Sequence, residues 1–407
     1  MRVSLVAALA ASVFATREAA ADIPLVKANG WDVFLDGRLN TFASVSAGDA
    51  QPNGVAPWQG IEDRAAGTDN IGMSRIRSGF ITNVLGLSLT KQLTPRLKVT
   101  GRFAIWAGVS QDRNKSDAPA LDAREVYIRM EGPWGSVLAG RTLSLFERGA
   151  IMLDYDIHHA HGLGHPCAIR TVRGGACGFA GHGLLFPSFN AGVVYSTPDI
   201  RGIQVSVAAY DPATVSERSY ERTPYPRTEF ELTYRFRRLF HVFADGLWQR
   251  IGSNLDSELN PDAWGLAAGA GLELGRVALG VAAHTGQGLG LYVPMENSPL
   301  FSDDNYVLRK SRGLVGMGSL TFGTTKIAGG VGVSQLMKTG FEPAGPLAIT
   351  FPSQQLGVSA GVYHGISETL FLALEYFYGY YSWYDSTSAG TPRQGVNFFN
   401  AGVTLVW

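Results

Sequence analysis

The sequence has no long apolar run and no long helical repeat. Its apolar segments are shorter than the roughly 20 residues that a membrane-spanning helix needs, which excludes a helical membrane protein. No extended segment of the mature chain places apolar residues at helical spacing, which argues against a doubly wound α/β enzyme. A G-x-S-x-G nucleophile elbow is not predicted either, so the main signature of an α/β-hydrolase is missing.

Charge and cysteine are scarce as well. Charged residues make up 17% of the chain and the formal net charge is zero, so no basic surface for nucleic acid is expected. Cysteine occurs twice, at Cys167 and Cys177. Glycine, by contrast, contributes 50 residues, and aromatic residues contribute 11%. This composition, with aromatic residues in alternating positions, is typical of a β-rich chain.

The N-terminus has the features of a secretory signal peptide. Arg2 precedes a short apolar run, Val3–Ala15, and the small residues Ala19–Ala21 stand before Asp22. A basic start, an apolar segment and a small-residue cleavage site are the parts of such a peptide. We therefore predict that residues 1–21 are removed and that residues 22–407 form one exported domain in an oxidising compartment.

Alternation of apolar and polar residues recurs along the mature chain and predicts sixteen strands. Short turns alternate with long loops between them, and the longest loop lies near 147–189. This layout, with an even strand number, is that of an outer-membrane barrel, so we predict an all-β, 16-stranded antiparallel transmembrane β-barrel. The predicted strands lie near 31–45, 74–93, 97–110, 123–131, 136–146, 190–197, 203–210, 227–236, 240–250, 263–274, 276–286, 313–322, 326–337, 355–365, 370–384 and 395–407.

The two faces of each predicted strand support a membrane barrel. In the strand near 227–236, Phe230 and Leu232 oppose Glu229 and Glu231. A continuous apolar face suits lipid, and a charged face suits a water-filled lumen. A soluble sandwich shows the same local alternation, but it gives no reason for all long connections to lie at one end.

The predicted strand near 74–93 does not fit this scheme. Arg75 and Arg77 have the same parity as Leu85 and Leu87, so they cannot all face one side of a regular strand. Either the strand contains a bulge, or the arginines stand above the membrane. The sequence does not decide between these two alternatives.

Four pieces of the chain resemble the trimeric porins of Gram-negative outer membranes. They are GSVLAGRTLSLFERG (Gly135–Gly149), FNAGVVYSTPDIRGIQVSVAAY (Phe189–Tyr210), SRIRSGF (Ser74–Phe80) and the C-terminal NFFNAGVTLVW. The resemblance implies a homotrimeric, multi-pass barrel in the cell outer membrane, surrounded by lipid. It also implies a passive diffusion channel for small hydrophilic solutes and ions, with no catalysis and no cofactor.

The resemblance further implies that loop 147–189 folds into the barrel and narrows it opposite a ladder of arginines. Strand parity puts three wall arginines on the inner face, and the resemblance adds Arg75 and Arg141. A field between a basic wall and an acidic loop orients dipolar solutes, and rings of charge set ion preference. The predicted constriction residues are Arg38, Arg75, Arg102, Arg129 and Arg141 on the wall, and Asp154, Asp156, His158, His159 and His161 on the loop.

The histidines of this loop raise the alternative of a metal site, since imidazole and thiolate are metal ligands. Their spacing matches no metal motif, and the loop has no helix signal. Cys167 and Cys177 are expected to form a disulfide in an oxidising compartment, which removes both thiolates from the set of ligands. No metal is therefore predicted, and the histidines remain open to a polar, pH-sensitive role in the pore.

Two rival functions remain. A substrate-selective channel would line its pore with stacked aromatic residues, and EYFYGYYSWY (Glu375–Tyr384) invites that interpretation. The alternative for this segment is the aromatic girdle at the membrane interface. An outer-membrane barrel enzyme would need a nucleophile and a base within hydrogen-bond reach, which no motif predicts.

Overall fold

A computed structural model of the chain describes residues 22–52, 55, 70–109, 121–158, 162, 164, 175–213, 225–237, 239–251, 261–295, 307–340, 351–384 and 391–407. The predicted signal peptide, residues 1–21, lies outside them. Among the described residues, no helix is long and apolar enough to cross a bilayer.

The described elements are eighteen strand segments and one helix. They are β1 (Ile23–Ala28), β2 (Trp31–Gly48), β3 (Ile71–Arg77), β4 (Asn83–Thr94), β5 (Leu97–Ala107), β6 (Asp122–Gly132), β7 (Gly135–Leu143), α1 (Arg148–His158), β8 (Phe189–Ser196), β9 (Ile203–Tyr210), β10 (Arg227–Phe236), β11 (Phe240–Arg250), β12 (Asp262–Leu274), β13 (Val277–Gln287), β14 (Lys310–Phe322), β15 (Thr325–Leu336), β16 (Pro352–Gly365), β17 (Leu370–Trp383) and β18 (Arg393–Val406).

Sequential antiparallel pairing closes the sheet into a barrel, because β18 pairs with β2. Two of the eighteen segments do not add a strand to the barrel. β3 and β4 pair with the two halves of β2 along one edge, so they form a single interrupted barrel strand. β1 pairs with β2 beyond the end of β18 and so extends β18. The barrel therefore has the predicted sixteen strands, and every predicted segment falls on a described strand.

The sequence analysis did not predict β1. It forms a hairpin with β2 through Asn29 and Gly30, whose φ angles are 54° and 75°. Positive φ at both positions is the geometry of a type I′ turn, which matches the twist of a two-stranded ribbon. The Asn-Gly dipeptide was the signal that could have predicted this hairpin.

The interruption between β3 and β4 resolves the parity conflict of the sequence. Arg77 is 1% exposed and faces the lumen, whereas its neighbour Ile76 is 62% exposed on the lipid side. After the break at residues 78–82, Leu85 is 49% exposed and also faces lipid. Residues of equal parity thus face opposite sides because the break shifts the pleat by one position. The conflict is therefore resolved by an interruption of the strand, which is a larger irregularity than the bulge that the sequence analysis offered.

The loop between β7 and β8 begins with α1, and the expectation that it has no helix was wrong. The buried side chains of α1 cover somewhat more than half of its circumference and include Ile151, Asp154 and Tyr155, whereas Asp156 is exposed on the other side. α1 lies inside the barrel and packs mainly against β12, β13 and β14. Because the buried side includes the polar Asp154 and His158, the apolar period by which amphipathic helices are predicted is obscured.

Candidate functional site

The loop enters the lumen at the turn before α1, where two wall carboxylates hold its backbone. Oε2 of Glu229 accepts hydrogen bonds from the backbone N–H groups of Leu145 and Phe146, at 2.8 and 2.9 Å. Oδ1 of Asp245 accepts one from Glu147 N at 3.1 Å. All five residues are buried. The carboxylates therefore satisfy backbone donors that have no access to water, which fixes the direction of the loop.

Further ion pairs tie the start of α1 to the same wall. The guanidinium of Arg148 donates to Glu231 through Nε at 3.0 Å and through a second, shorter contact. Burial lowers the pKa of Arg148, but the attraction and hydrogen bond of Glu231 outweigh this and raise it above its usual value. His284 of β13 lies 3.0 Å from the Glu147 carboxylate. Arg148 thus keeps its charge across the physiological pH range.

The far end of α1 is held by a hydrogen-bonded relay. Asp154 Oδ1 lies 2.9 Å from His158 Nδ1, and His158 Nε2 lies 3.3 Å from Ser359 Oγ on β16. The order of contacts is that of a Ser–His–Asp triad. The segment Gly357–Gly361 reads GVSAG and matches G-x-S-x-G, so the expectation that this signature is missing was wrong, although the match lies within a strand rather than at an elbow.

The surroundings of the relay do not suit catalysis. His158 is 0% exposed, so no described surface leads to its ring. Ser359 lies in the middle of β16, in register with Gly330 and Phe377, so the backbone groups around it belong to the sheet ladder. An oxyanion hole needs free N–H donors close to the nucleophile. The relay instead anchors the C-terminal end of α1 to the barrel wall.

Arg77 holds a later part of the loop to the wall. Its Nη2 donates to the carbonyl oxygens of Gly162 and Gly164, at 3.1 and 2.8 Å, and to Asn400 Oδ1 at 2.8 Å. Asn400 in turn donates to Gly164 O at 3.2 Å. The loop is therefore held by two parts of the wall, the part that α1 contacts and the part formed by β2, β3 and β18.

The break between β3 and β4 also contributes to the constriction. Ala176 N donates to Gly79 O at 3.2 Å, and the rings of Phe80 and Phe186 meet edge to face at 6.1 Å. The interrupted strand thus turns toward the lumen and supports the loop directly. The only sequence signal of this contact was the conflict in strand parity between Arg77 and Leu85, on either side of the Ser78-Gly79 dipeptide.

A second long connection, after β13, also folds onto the loop, which the sequence analysis missed. Tyr292 O accepts a hydrogen bond from Phe186 N at 2.7 Å, and Tyr292 OH accepts one from Gln355 Nε2 at 2.7 Å. Leu289 and Leu291 are buried beside it. The apolar residues that follow Gly288, in a segment expected to be a solvent-exposed loop, were the sequence signal that could have predicted this packing.

The predicted wall arginines fall into two groups. The guanidinium of Arg38 lies 5.7 Å from the ring centre of Tyr155 on α1, so Arg38 reaches the loop. Arg75 is half-buried on the lumen side of β3. Arg102, in contrast, makes a bidentate pair with Asp36 at 2.7 and 2.9 Å, within the wall.

Arg129 and Arg141 also differ from each other. Arg129 is buried on the lumen side and donates to Ser136 Oγ at 3.3 Å. The register pairs Arg141 with Val126 and Ala191, which are exposed on the outer face, so the structure does not bring Arg141 to the loop. Its Nη2 instead lies 3.3 Å from Asp122 Oδ1.

Arg124, like Arg77, is a lumen arginine that was not among the predicted constriction residues. The guanidinium of Arg124 lies 4.9 and 5.6 Å from the ring centres of Trp106 and Phe189, and its Nε donates to Asp122 at 2.9 Å. It lies near the long-loop end of β6, where a register shift against β5 turns both Arg124 and Glu125 inward. Counting alternate residues along the strand cannot predict on which face a residue lies when it follows such a shift.

Of the predicted loop residues, Asp154 and His158 are buried in the relay rather than open to the lumen. Asp156 is exposed, and its carbonyl oxygen accepts a hydrogen bond from Lys326 Nζ at 2.9 Å. His159 and His161 lie outside the described residues. Within the described part of the chain, no group of three or more His, Cys, Asp or Glu side chains is arranged to hold a metal ion.

The predicted disulfide involves one described residue. Cys177 is 1% exposed and is disulfide-bonded. Cys167 lies outside the described residues, so the pairing of Cys167 with Cys177 stays a prediction. A bridge there would close the part of the loop that Arg77 and Gly79 hold from the other side.

The aromatic segment Glu375–Tyr384 is divided between the two faces of β17. Phe377 and Tyr381 are buried against the loop, and the ring of His182 lies 5.1 and 5.6 Å from them. Tyr376 and Tyr378 have the opposite parity and face outward. The segment is therefore partly girdle and partly a packing surface for the loop.

Comparisons with known proteins agree with this architecture. The profile of a family described as Gram-negative porin matches residues 6–382. A search of curated protein sequences finds no match. Similar solved structures are the outer membrane channel DcaP of Acinetobacter baumannii (TM-score 0.69, 16% identity, 94% of this chain and 99% of that chain), an anion-selective porin from Comamonas acidovorans (0.62, 14%, 93% and 100%) and Salmonella typhi OmpF in complex with daunomycin (0.53, 12%, 93% and 99%).

Proposed function

We propose, given that the chain belongs to the Gram-negative porin family, that solutes pass between its in-folded loop and the wall formed by β2–β7. The protein is a multi-pass β-barrel of the outer membrane and a diffusion channel, with the family and fold of a channel rather than of an enzyme. The packing of α1 supports the proposed route, because the helix covers the inner side of the wall around β13.

We further propose that the channel prefers anions. The observation that carries this is the excess of cationic side chains on the inner side of β2–β7. Charges that line a narrow passage attract the opposite ion and repel like ions. The cations are Arg38, Arg75, Arg77, Lys98, Arg102, Arg124 and Arg129, against the carboxylates of Asp32, Asp36, Asp122, Glu125 and Glu131. Arg141 adds a further cation, because its guanidinium reaches the Asp122 carboxylate although its backbone register is outward.

The preference is tested by reversal potentials of the channel in planar bilayers under a KCl gradient. We expect permeability to chloride to exceed permeability to potassium, and we expect Arg38→Gln with Arg129→Gln to reduce that ratio severalfold. Arg201→Gln, in the exposed turn between β8 and β9, is the matched control and should leave the ratio unchanged. Potassium preference in the unmodified channel would show that the wall charges do not govern selectivity.

The same recordings address the alternative of a substrate-selective channel. A general diffusion path gives a current that grows with solute concentration, whereas a binding site makes it saturate. The inward aromatic residues Phe377 and Tyr381 do not favour saturation, because the loop covers them.

We propose that the Ser359–His158–Asp154 relay is an anchor and not a catalytic site. Purified channel should therefore hydrolyse p-nitrophenyl esters no faster than its Ser359→Ala variant, since the serine lacks both access and an oxyanion hole. Labelling of Ser359 by a fluorophosphonate, traced by peptide mass spectrometry, would overturn this assignment. Ser206→Ala, at another buried serine on β9, is the matched control.

A homotrimer is proposed on the family resemblance alone. No surface of the described barrel is assigned to it.

A further inference from the structure

A hollow lies on the lipid-facing side of the barrel, where β12 to β15 run side by side. Its volume is about 590 Å³, within the range of ligand sites. The small side chains of Ala268 and Ala283 form its floor, and the exposed Leu266 and Leu314 stand beside them. The sheet thus has a recess at a place where a regular barrel presents large apolar side chains to lipid.

A row of polar side chains borders this hollow. The strand register aligns Thr285, Arg312 and Gln335 in one cross-strand row, which ends at Leu266 on β12. Ala283 and Leu314 form the next row that faces lipid. It lies two residues further along the strands, and so about 7 Å from the polar row. The hollow therefore changes from polar to apolar along a single direction, which is the membrane normal in a barrel of this type.

The polar row lies toward the long-loop ends of the strands, which face outside in outer-membrane barrels. Trp264, Gln287 and Lys310 form the next lipid-facing row, which lies closer to the long loops than the polar row does. Tryptophan at such a position marks the level of the membrane interface. Arg312 and Lys310 consequently lie at the depth of lipid headgroups in the outer leaflet.

Arg312 is exposed on a face where charge is unfavourable next to hydrocarbon. Its Nε donates to Gln335 Oε1 at 2.8 Å, and Gln335 is held in turn by Gln354 at 3.3 Å. Among the described residues no carboxylate lies within ion-pair distance of its guanidinium. The glutamine chain therefore fixes the guanidinium at the edge of the hollow and leaves its two terminal nitrogens for an anion from outside the chain.

We propose that the hollow binds one lipid of the outer leaflet, with a phosphorylated headgroup on Arg312 and Lys310 and an acyl chain over Ala268 and Ala283. Charge complementarity identifies the occupant, since arginine forms strong bidentate hydrogen bonds with phosphate. An apolar chain fits the alanine floor and is held there by van der Waals contact, since lipid tails are as apolar as the protein surface. The inference rests on the outer-membrane location and is independent of the proposed ion preference.

Native mass spectrometry of the full-length channel in mild detergent tests the proposal, with diphosphoryl lipid A as the probe. We expect one lipid per protomer in the unmodified protein. The double variant Lys310→Gln and Arg312→Gln should bind about ten-fold more weakly, because charge-assisted hydrogen bonds are lost. Ala283→Phe, which fills the floor and keeps both cations, should lose binding to a similar extent. Arg201→Gln, at the opposite end of the barrel, should bind as the unmodified protein does.

Several results would overturn the inference. Unchanged binding by Ala283→Phe would show that the hollow is not the site, and equal binding of a dephosphorylated lipid A would remove the headgroup contact. Spontaneous disulfide linkage between copies that carry Ala268→Cys would assign the hollow to a second copy of the chain. Heat-modifiable gel mobility verifies folding, and Ala283→Val replaces Ala283→Phe should the larger side chain prevent it.

Discussion

Substitution of Arg77 by alanine is expected to raise the single-channel conductance and to make the open current noisy. Arg77 is 1% exposed, and its Nη2 alone binds two loop carbonyls and Asn400. Its removal leaves these acceptors without their donor in a buried site, at a cost on the order of 3 kcal/mol. That cost shifts the balance between docked and undocked loop by roughly 100-fold. Bilayer recordings at fixed salt measure the effect.

Arg75→Ala is the matched control for this experiment. Arg75 lies on the same side of the same strand, but it is only half-buried. Its removal changes the wall charge by the same amount, so any effect of charge alone appears in both variants. Equal conductance changes in the two variants would show that Arg77 acts through charge and not by holding the loop. Arg77→Lys should behave as an intermediate, because lysine cannot reproduce the fork of donors.

Substitution of Glu229 by alanine is expected to lower the temperature at which the folded barrel is lost, by several degrees. The carboxylate accepts two backbone hydrogen bonds from the loop and one from Arg227 Nε, at 2.6 Å. Alanine leaves a buried guanidinium and two buried N–H groups without this partner, at a cost of about 3–5 kcal/mol. Heat-modifiable mobility in detergent gels, followed over temperature, gives the midpoint.

Two further variants serve as references for the midpoint of Glu229→Ala. Glu131→Ala removes a carboxylate that contacts Lys98 at 3.5 Å and Arg129 at 3.6 Å but, among the described residues, holds no backbone group of the loop, so it measures the loss of wall ion pairs alone. Glu229→Gln keeps an acceptor oxygen for the loop but loses the charge opposite Arg227, so its midpoint should lie between those of the other two. Identical midpoints for Glu229→Ala and Glu131→Ala would show that the loop root contributes little to the stability of the barrel.

The strands were predictable because their determinant is local. A lipid face and a lumen face impose a two-residue alternation on every strand. This pattern can be recognised in one strand without knowing which strands pair with it. The prediction of faces failed where the pleat is disturbed. Beyond the break at 78–82 and the register shift at Arg124, counting from a distant residue gives the wrong side.

The interior of the barrel was much less predictable. Arg38 was placed correctly on the lumen side, but its contact with Tyr155 depends on a helix whose amphipathic signal is obscured. His158 was expected in the pore and is buried, because Asp154 and Ser359 enclose it from two elements that lie 201 residues apart. Contacts of this kind are set by how the loop folds back, and no local pattern in the sequence records it.

The buried apolar residues of the loop, with Phe377 and Phe398 of the wall, form a core inside the lumen that is separate from the strand ladder. No backbone hydrogen bond between neighbouring strands needs to break for this core to open. The loop can therefore act as a cooperative unit of its own, with an opening free energy below that of the barrel. Because hydrophobic packing weakens on cooling while the strand ladder stays intact, temperature acts on this inner unit and on the outer wall in different ways.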